Sequence, residues 1–92
     1  MNIEILIYQK IKERMKEMRD KEQINFIKKE FPKGTRIKLI YMDIKYKLMP
    51  NLLGTVNFVD DMGIINMNWD NGSDIGLLYG IDKFEKLESE VI

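Results

Sequence analysis

Two turns of the chain hold the residues nearest to an acid–base or metal-binding set: Asp60 with Asp61, and Asp70 with Asp74. Neighbouring carboxylates bind divalent cations or divide the acid and base roles of a hydrolase. The segment between the two pairs reads as a strand. At roughly 3.3 Å per residue over about eight residues it sets them about 25 Å apart, so they cannot converge on one centre. Neither pair has the spacing of an EF-hand loop. Aspartate is also a natural turn former, because its carboxylate satisfies backbone N–H groups just ahead of it. No metal site is expected. Ser73 and Ser89 have no His to activate them, and there is no Cys. A lysine acting as base or nucleophile would have to be buried, whereas every Lys here has polar neighbours. Gly72, Gly76 and Gly80 are spaced by four across a strand rather than at a helix start, so they make no phosphate cradle. The chain reads as a non-enzyme with no cofactor.

Nucleic-acid chemistry has more to work with. Lys33, Arg36, Lys38, Lys45 and Lys47 against Asp43 give residues 32–50 a net charge of +4, with Tyr41 and Tyr46 interleaved for base stacking. The candidate set is Arg36, Lys38, Tyr41, Lys45, Tyr46 and Lys47. The whole chain is neutral, but its halves are not. Residues 1–50 carry 13 basic against 7 acidic residues (+6), and residues 51–92 carry 2 against 8 (−6). Antiparallel pairing of the first two strands predicts Lys33 and Arg36 beside Asp60 and Asp61, with Lys45 and Lys47 sharing an end with Asp70 and Asp74. A basic patch neutralised by its own domain loses most of its counterion-release attraction.

The elements that position these groups follow from length and period. Ninety-two residues, 45% apolar and 33% charged, suit one small globular domain. The absence of Cys fits a reducing compartment, and the apolar run Ile5-Leu6-Ile7-Tyr8 is too short for a signal or a membrane span. A cytoplasmic protein is expected, with no membrane partner. All glycines and prolines lie at or after Pro32. Before them, Ile3, Ile7, Ile11, Met15 and Met18 form one apolar stripe at helical spacing, predicting a helix over 3–19. Asp20 with Gln23 resembles a capping box that restarts a helix over 21–30, ended by Pro32. One unbroken helix is the alternative.

From Thr35 the period becomes two. Ile37, Leu39 and Tyr41 mark a first strand, and a connection over 43–53 contains the turn signal Pro50-Asn51. Strands follow over 55–59 and 64–69. Asn71-Gly72 then signals a hairpin, because both residues tolerate positive φ. Ile75, Leu77 and Tyr79 mark a fourth strand and residues 84–87 a short fifth. This gives an α+β fold: an N-terminal helix or helix pair (1–31), then a five-stranded antiparallel SH3-like β-barrel (32–92), together one compact domain.

Several motifs occur in order: Phe31-Pro32-Lys33-Gly34-Thr35-Arg36-Ile37, Met42-Asp43, Gly54-Thr55-Val56, Val59-Asp60-Asp61-Met62-Gly63, Trp69-Asp70-Asn71-Gly72-Ser73 and Gly80-Ile81-Asp82. Over about residues 21–87 the chain resembles the bacterial and phage family of domain of unknown function numbered 4314. The resemblance implies an SH3-like fold and a mobile-genetic-element setting, and no activity. The connection departs from the family's proline-rich pattern: Ile44-Lys45-Tyr46-Lys47-Leu48-Met49 precedes a single Pro50. The helix over 3–19 reads as an addition.

Ile40, Met42, Ile44, Leu48, Met49, Leu52 and Leu53 are too many apolar side chains for one connection to bury; they suit a partner surface, since Met adapts to varied shapes, or equally a cover over the barrel mouth or a seat for the N-terminal helix. The leading expectation is therefore a non-enzymatic protein-interaction module. It docks stoichiometrically and, in the setting the resemblance implies, inhibits or redirects a host defence protein. The expected contacts are Tyr46, Leu48, Met49, Leu52 and Leu53. The stripe from Ile3 to Met18 comes second and would also serve a homo-oligomer. A nucleic-acid-binding accessory and a small-nucleotide sponge are the alternatives.

Overall fold

Asp20 starts the first well-packed element. Its backbone is extended (φ −84°, ψ 174°), and its carboxylate accepts the Gln23 N–H at 2.9 Å while the Gln23 side chain accepts the Asp20 N–H at 3.3 Å. This reciprocal capping begins helix α1, Lys21–Glu30. In a computed structural model that describes residues 3, 6, 7, 9–11, 20–42 and 48–88, the helix over 21–30 is therefore a separate one. Ahead of it Ile3, Leu6, Ile7, Gln9, Lys10 and Ile11 are helical, and the rest of the 3–19 expectation lies outside the described residues. Phe31 closes α1, donating its N–H to the Ile27 carbonyl, and Pro32 prevents continuation.

Five strands follow: β1 Arg36–Tyr41, β2 Leu53–Val59, β3 Ile64–Trp69, β4 Leu77–Leu78 and β5 Lys83–Lys86. They form one antiparallel sheet in the order β4-β3-β2-β1-β5. The sheet is not closed. β4 and β5 stand at its two edges, and an isolated bridge between Tyr79 and Asp82 spans the turn that joins them. The expected barrel thus corresponds to an open five-stranded sheet. β4 is also shorter than expected. The Ile75 carbonyl accepts the Trp69 indole N–H at 2.7 Å, which ties that stretch to a side chain instead of a strand ladder.

Both hairpins flanking β3 have one geometry. Gly63 donates to the Asp60 carbonyl and Asp60 to Ile64; Gly72 donates to the Trp69 carbonyl and Trp69 to Ser73. Only the glycine takes positive φ, +82° at Gly63 and +88° at Gly72, as in a tight turn followed by a one-residue bulge. At Asn71-Gly72 both residues tolerate positive φ, and the bulge glycine alone adopts it. The Pro50-Asn51 signal is fulfilled by a turn in which Asn51 has φ +69° and Leu52 donates to the Met49 carbonyl.

One face of the sheet is buried. Ile37 and Leu39 of β1, Val56 of β2, Ile65, Met67 and Trp69 of β3 and Leu77 of β4 form a single core, which Ile27 and Phe31 of the α1 segment cover. Burying such side chains supplies about 1.5–3 kcal/mol each, the main gain holding a domain this small together. A second, smaller cluster joins Ile64 and Leu78 to Met62, Ile81 and Ile11 of the N-terminal helical residues.

Candidate functional site

Arg36 and Lys38 sit on the outer face of the sheet, alternating with the buried Ile37 and Leu39, and register decides their partners. Arg36 pairs with Thr55, which pairs in turn with Asn68, so Arg36 crosses β2 toward the far end of β3. There its guanidinium grips Asp70 with two prongs, Nη1 to Oδ1 at 2.9 Å and Nη2 to Oδ2 at 2.8 Å, while Nη1 also donates to Thr55 Oγ1 at 2.9 Å. The hydrogen bonds from Arg36 hold the Asp70 carboxyl below the ordinary carboxylate range, and those to Asp70 raise Arg36. The expected approach of Arg36 to Asp60 and Asp61 is thus corrected. Only the first half of β2 pairs with β1, so the 60–63 turn extends beyond the start of β1. Asp61 instead meets Lys28 of α1 at 3.1 Å. Lys38 lies opposite Glu85 across the β1–β5 ladder, and the exposed Tyr41 lies opposite Lys83. Lys45 and Lys47, with their expected proximity to Asp70 and Asp74, lie outside the described residues, as does Tyr46.

Three ion pairs join the first half of the chain to the second: Lys28–Asp61, Arg36–Asp70 and Lys86–Glu30. In the first two the base comes from the basic half and the acid from the acidic half, so the opposite charges of the halves meet there, whereas Lys86–Glu30 runs the other way.

The carboxylates serve turns. Asp60 Oδ1 accepts the N–H groups of both Met62 and Ile64, which fixes the hairpin before β3. The pairs 60–61 and 70–74 stand at opposite ends of β3, and among the described residues no three metal-ligand side chains gather. Sequence reasoning missed Asp82. It is buried, and its Oδ2 accepts the Leu78 N–H at 2.8 Å, holding the β4–β5 turn.

The apolar connection divides in two. Leu48 and Leu52 are half-buried against the main core, and Leu53, also half-buried, opens β2 opposite Lys38. Met49 points away, 74% exposed. The turn carrying it is pinned to β1, because Asn51 donates to the Leu39 carbonyl at 2.7 Å and Leu39 to the Leu52 carbonyl at 2.8 Å. Ile40 and Tyr41 follow at the same end of β1, exposed where the β1–β5 register slips between Leu39 and Tyr41.

A second surface was not foreseen. Phe26, Phe31, Tyr79 and Phe84 form a chain of edge-to-face and tilted contacts, with ring centres 5.5–6.5 Å apart, joining α1 to β5 and the β4–β5 turn. Lys86 lies 5.9 Å above the Phe31 ring and donates to the Glu30 carbonyl at 2.8 Å. Phe26 remains 51% exposed. Its signal in the sequence is weak, since Ile24, Ile27 and Phe31 form the apolar stripe of α1 at helical spacing and Phe26 falls off it. In the N-terminal stripe Ile11 is packed while Ile3 and Ile7 are exposed, as is Leu6 beside them; Met15 and Met18 lie outside the described residues.

The family model described as Domain of unknown function (DUF4314) matches residues 20–87, about three-quarters of the chain. The chain belongs to this family. The match begins at the capping residue Asp20 and ends just after β5, so it spans α1 and the whole sheet of the DUF4314 chain but not residues 1–19. No curated protein and no solved structure matches the chain. No helix among the described residues is long and apolar enough to cross a membrane.

Proposed function

We propose that this DUF4314 protein is a docking module that acts by binding another protein stoichiometrically rather than by making or breaking bonds. The observation that carries this reading is the Met49 turn. Leu48 and Leu52 pack inward and two backbone hydrogen bonds fix the turn to Leu39, so Met49 is presented on a preorganised support beside Ile40 and Tyr41. Preorganisation lowers the ordering cost of association, and methionine moulds to varied partner surfaces. Met49, Ile40 and Tyr41 are the contacts, with Leu53 at the rim and Tyr46 of the same connection as a further contact. Leu48 and Leu52 hold the turn in shape.

The two-pronged Arg36–Asp70 pair favours protein docking over nucleic-acid binding, because that guanidinium already has a carboxylate partner. The strand order, with β1 flanked by β2 and β5, supports reading the sheet as an SH3-like roll. In the phage or mobile-element setting that the family resemblance implies, the target we propose is a host defence protein, met in the cytoplasm that the absence of Cys suits.

Nuclease-treated capture from host lysate tests the proposal, with Met49→Asp as the discriminating variant. A partner held at about one-to-one stoichiometry and lost with Met49→Asp fits the docking reading. Retention that disappears on nuclease treatment contradicts it.

A further inference from the structure

The hairpin between β3 and β4 carries Asn71-Gly72, which the docking surface does not use. We propose that Asn71 is a gated deamidation site, protected while the hairpin is closed and modified when it opens. Of the seven asparagines, only Asn71 precedes a glycine. Asn2, Asn25, Asn51, Asn57, Asn66 and Asn68 precede Ile3, Phe26, Leu52, Phe58, Met67 and Trp69, whose side chains crowd the following backbone nitrogen. In the reaction the Gly72 nitrogen gives up its proton and attacks Asn71 Cγ. The new N–Cγ bond closes a five-membered imide as the Cγ–Nδ2 bond breaks, and ammonia leaves carrying a proton. Water then adds to one of the two imide carbonyls, opening the ring to aspartate or isoaspartate. No oxidant or reductant takes part.

The folded turn engages both reacting groups. The Gly72 N–H donates to the Trp69 carbonyl at 2.9 Å, and Asn71 Oδ1 accepts the Ser73 N–H at 3.0 Å. Ring closure has to break the first bond, because the Gly72 nitrogen must give up the proton held by the Trp69 carbonyl before it attacks. Both residues are otherwise open to solvent, and no heavy atom approaches the space beside the Gly72 Cα within 4 Å, so water and hydroxide have access once the turn yields. The product matters for the outer face. A new carboxylate appears next to Asp70, the partner of Arg36, and isoaspartate adds one main-chain atom to the turn that sets the position of Asp70.

The test incubates the intact chain at mildly alkaline pH, folded or unfolded in guanidinium chloride, and follows each asparagine by peptide mapping with isoaspartate detection. The expected result is conversion at Asn71 ahead of every other asparagine in the unfolded chain, and at least roughly tenfold slower in the folded one. Equal rates in the two states overturn the gate. Faster conversion at another asparagine, or none at Asn71 in the unfolded chain, overturns the site.

Discussion

The six-membered ring of Trp69 occupies the space where a side chain on Gly54 would stand. A Cβ built on Gly54 would lie 2.5 Å from Trp69 Cε3 and 3.0 Å from Met67 Cε, because Gly54 and Trp69 face each other across the β2–β3 ladder. The indole is also fixed by its bond to the Ile75 carbonyl, so it cannot swing aside without losing that partner. Gly54→Ala is therefore expected to destabilise the fold by about 1–3 kcal/mol through overpacking. Urea denaturation measures this, and a midpoint equal to the parent's would show that the ring moves freely.

The Arg36–Asp70 pair predicts a pH dependence of definite sign. Folding lowers the Asp70 carboxyl below its unfolded range, so its contribution is complete above the unfolded value of about 3.9 and declines as pH falls through the lower folded value. The stability difference between the parent and Asp70→Asn should be level near neutrality and shrink at acid pH. It should also shrink with added salt, because both side chains are about half exposed. A difference that grows on acidification would contradict the pairing.

Two substitutions in α1 separate local from tertiary contributions. Asp20→Ala removes the capping box and is expected to cost ~1 kcal/mol. Ile27→Ala removes a buried anchor between helix and sheet and is expected to cost ~2–5 kcal/mol. Equal losses from the two in urea titrations would mean that α1 is not held by its buried face.

These contributions also explain what was legible in the sequence. The α1 bounds, the capping box, β3 and the Pro50-Asn51 turn depend on residues close together in the chain, and each appears where the pattern indicated. Register does not. The bulges in β2 between Val56 and Phe58 and in β1 between Leu39 and Tyr41 leave no local signature, yet they decide which side chains face outward. Hence the partner of Arg36 was misread while the pairing of basic and acidic halves was anticipated. The connection was legible as apolar, but its division into inward Leu48 and Leu52 and outward Met49 depends on hydrogen bonds to Leu39, distant in sequence. β4 was overestimated because the indole bond to Ile75 is a tertiary contact that alternation cannot show.

The docking surface makes a further prediction that needs no partner. Met49 stands on the surface, so Met49→Asp should leave the unfolding free energy from urea titration within ~0.5 kcal/mol of the parent, whereas Leu52→Asp should lower it by several-fold more. Matching losses would place Met49 in the packing of the connection.

The central claim, stoichiometric docking through the Met49 turn, is tested most directly by native mass spectrometry of complexes captured from nuclease-treated host lysate. The parent chain and folded Met49→Asp are compared side by side. The account predicts one host protein bound at about one-to-one to the parent and absent from the variant. A complex that survives Met49→Asp unchanged, or binding that depends on nucleic acid, would contradict it.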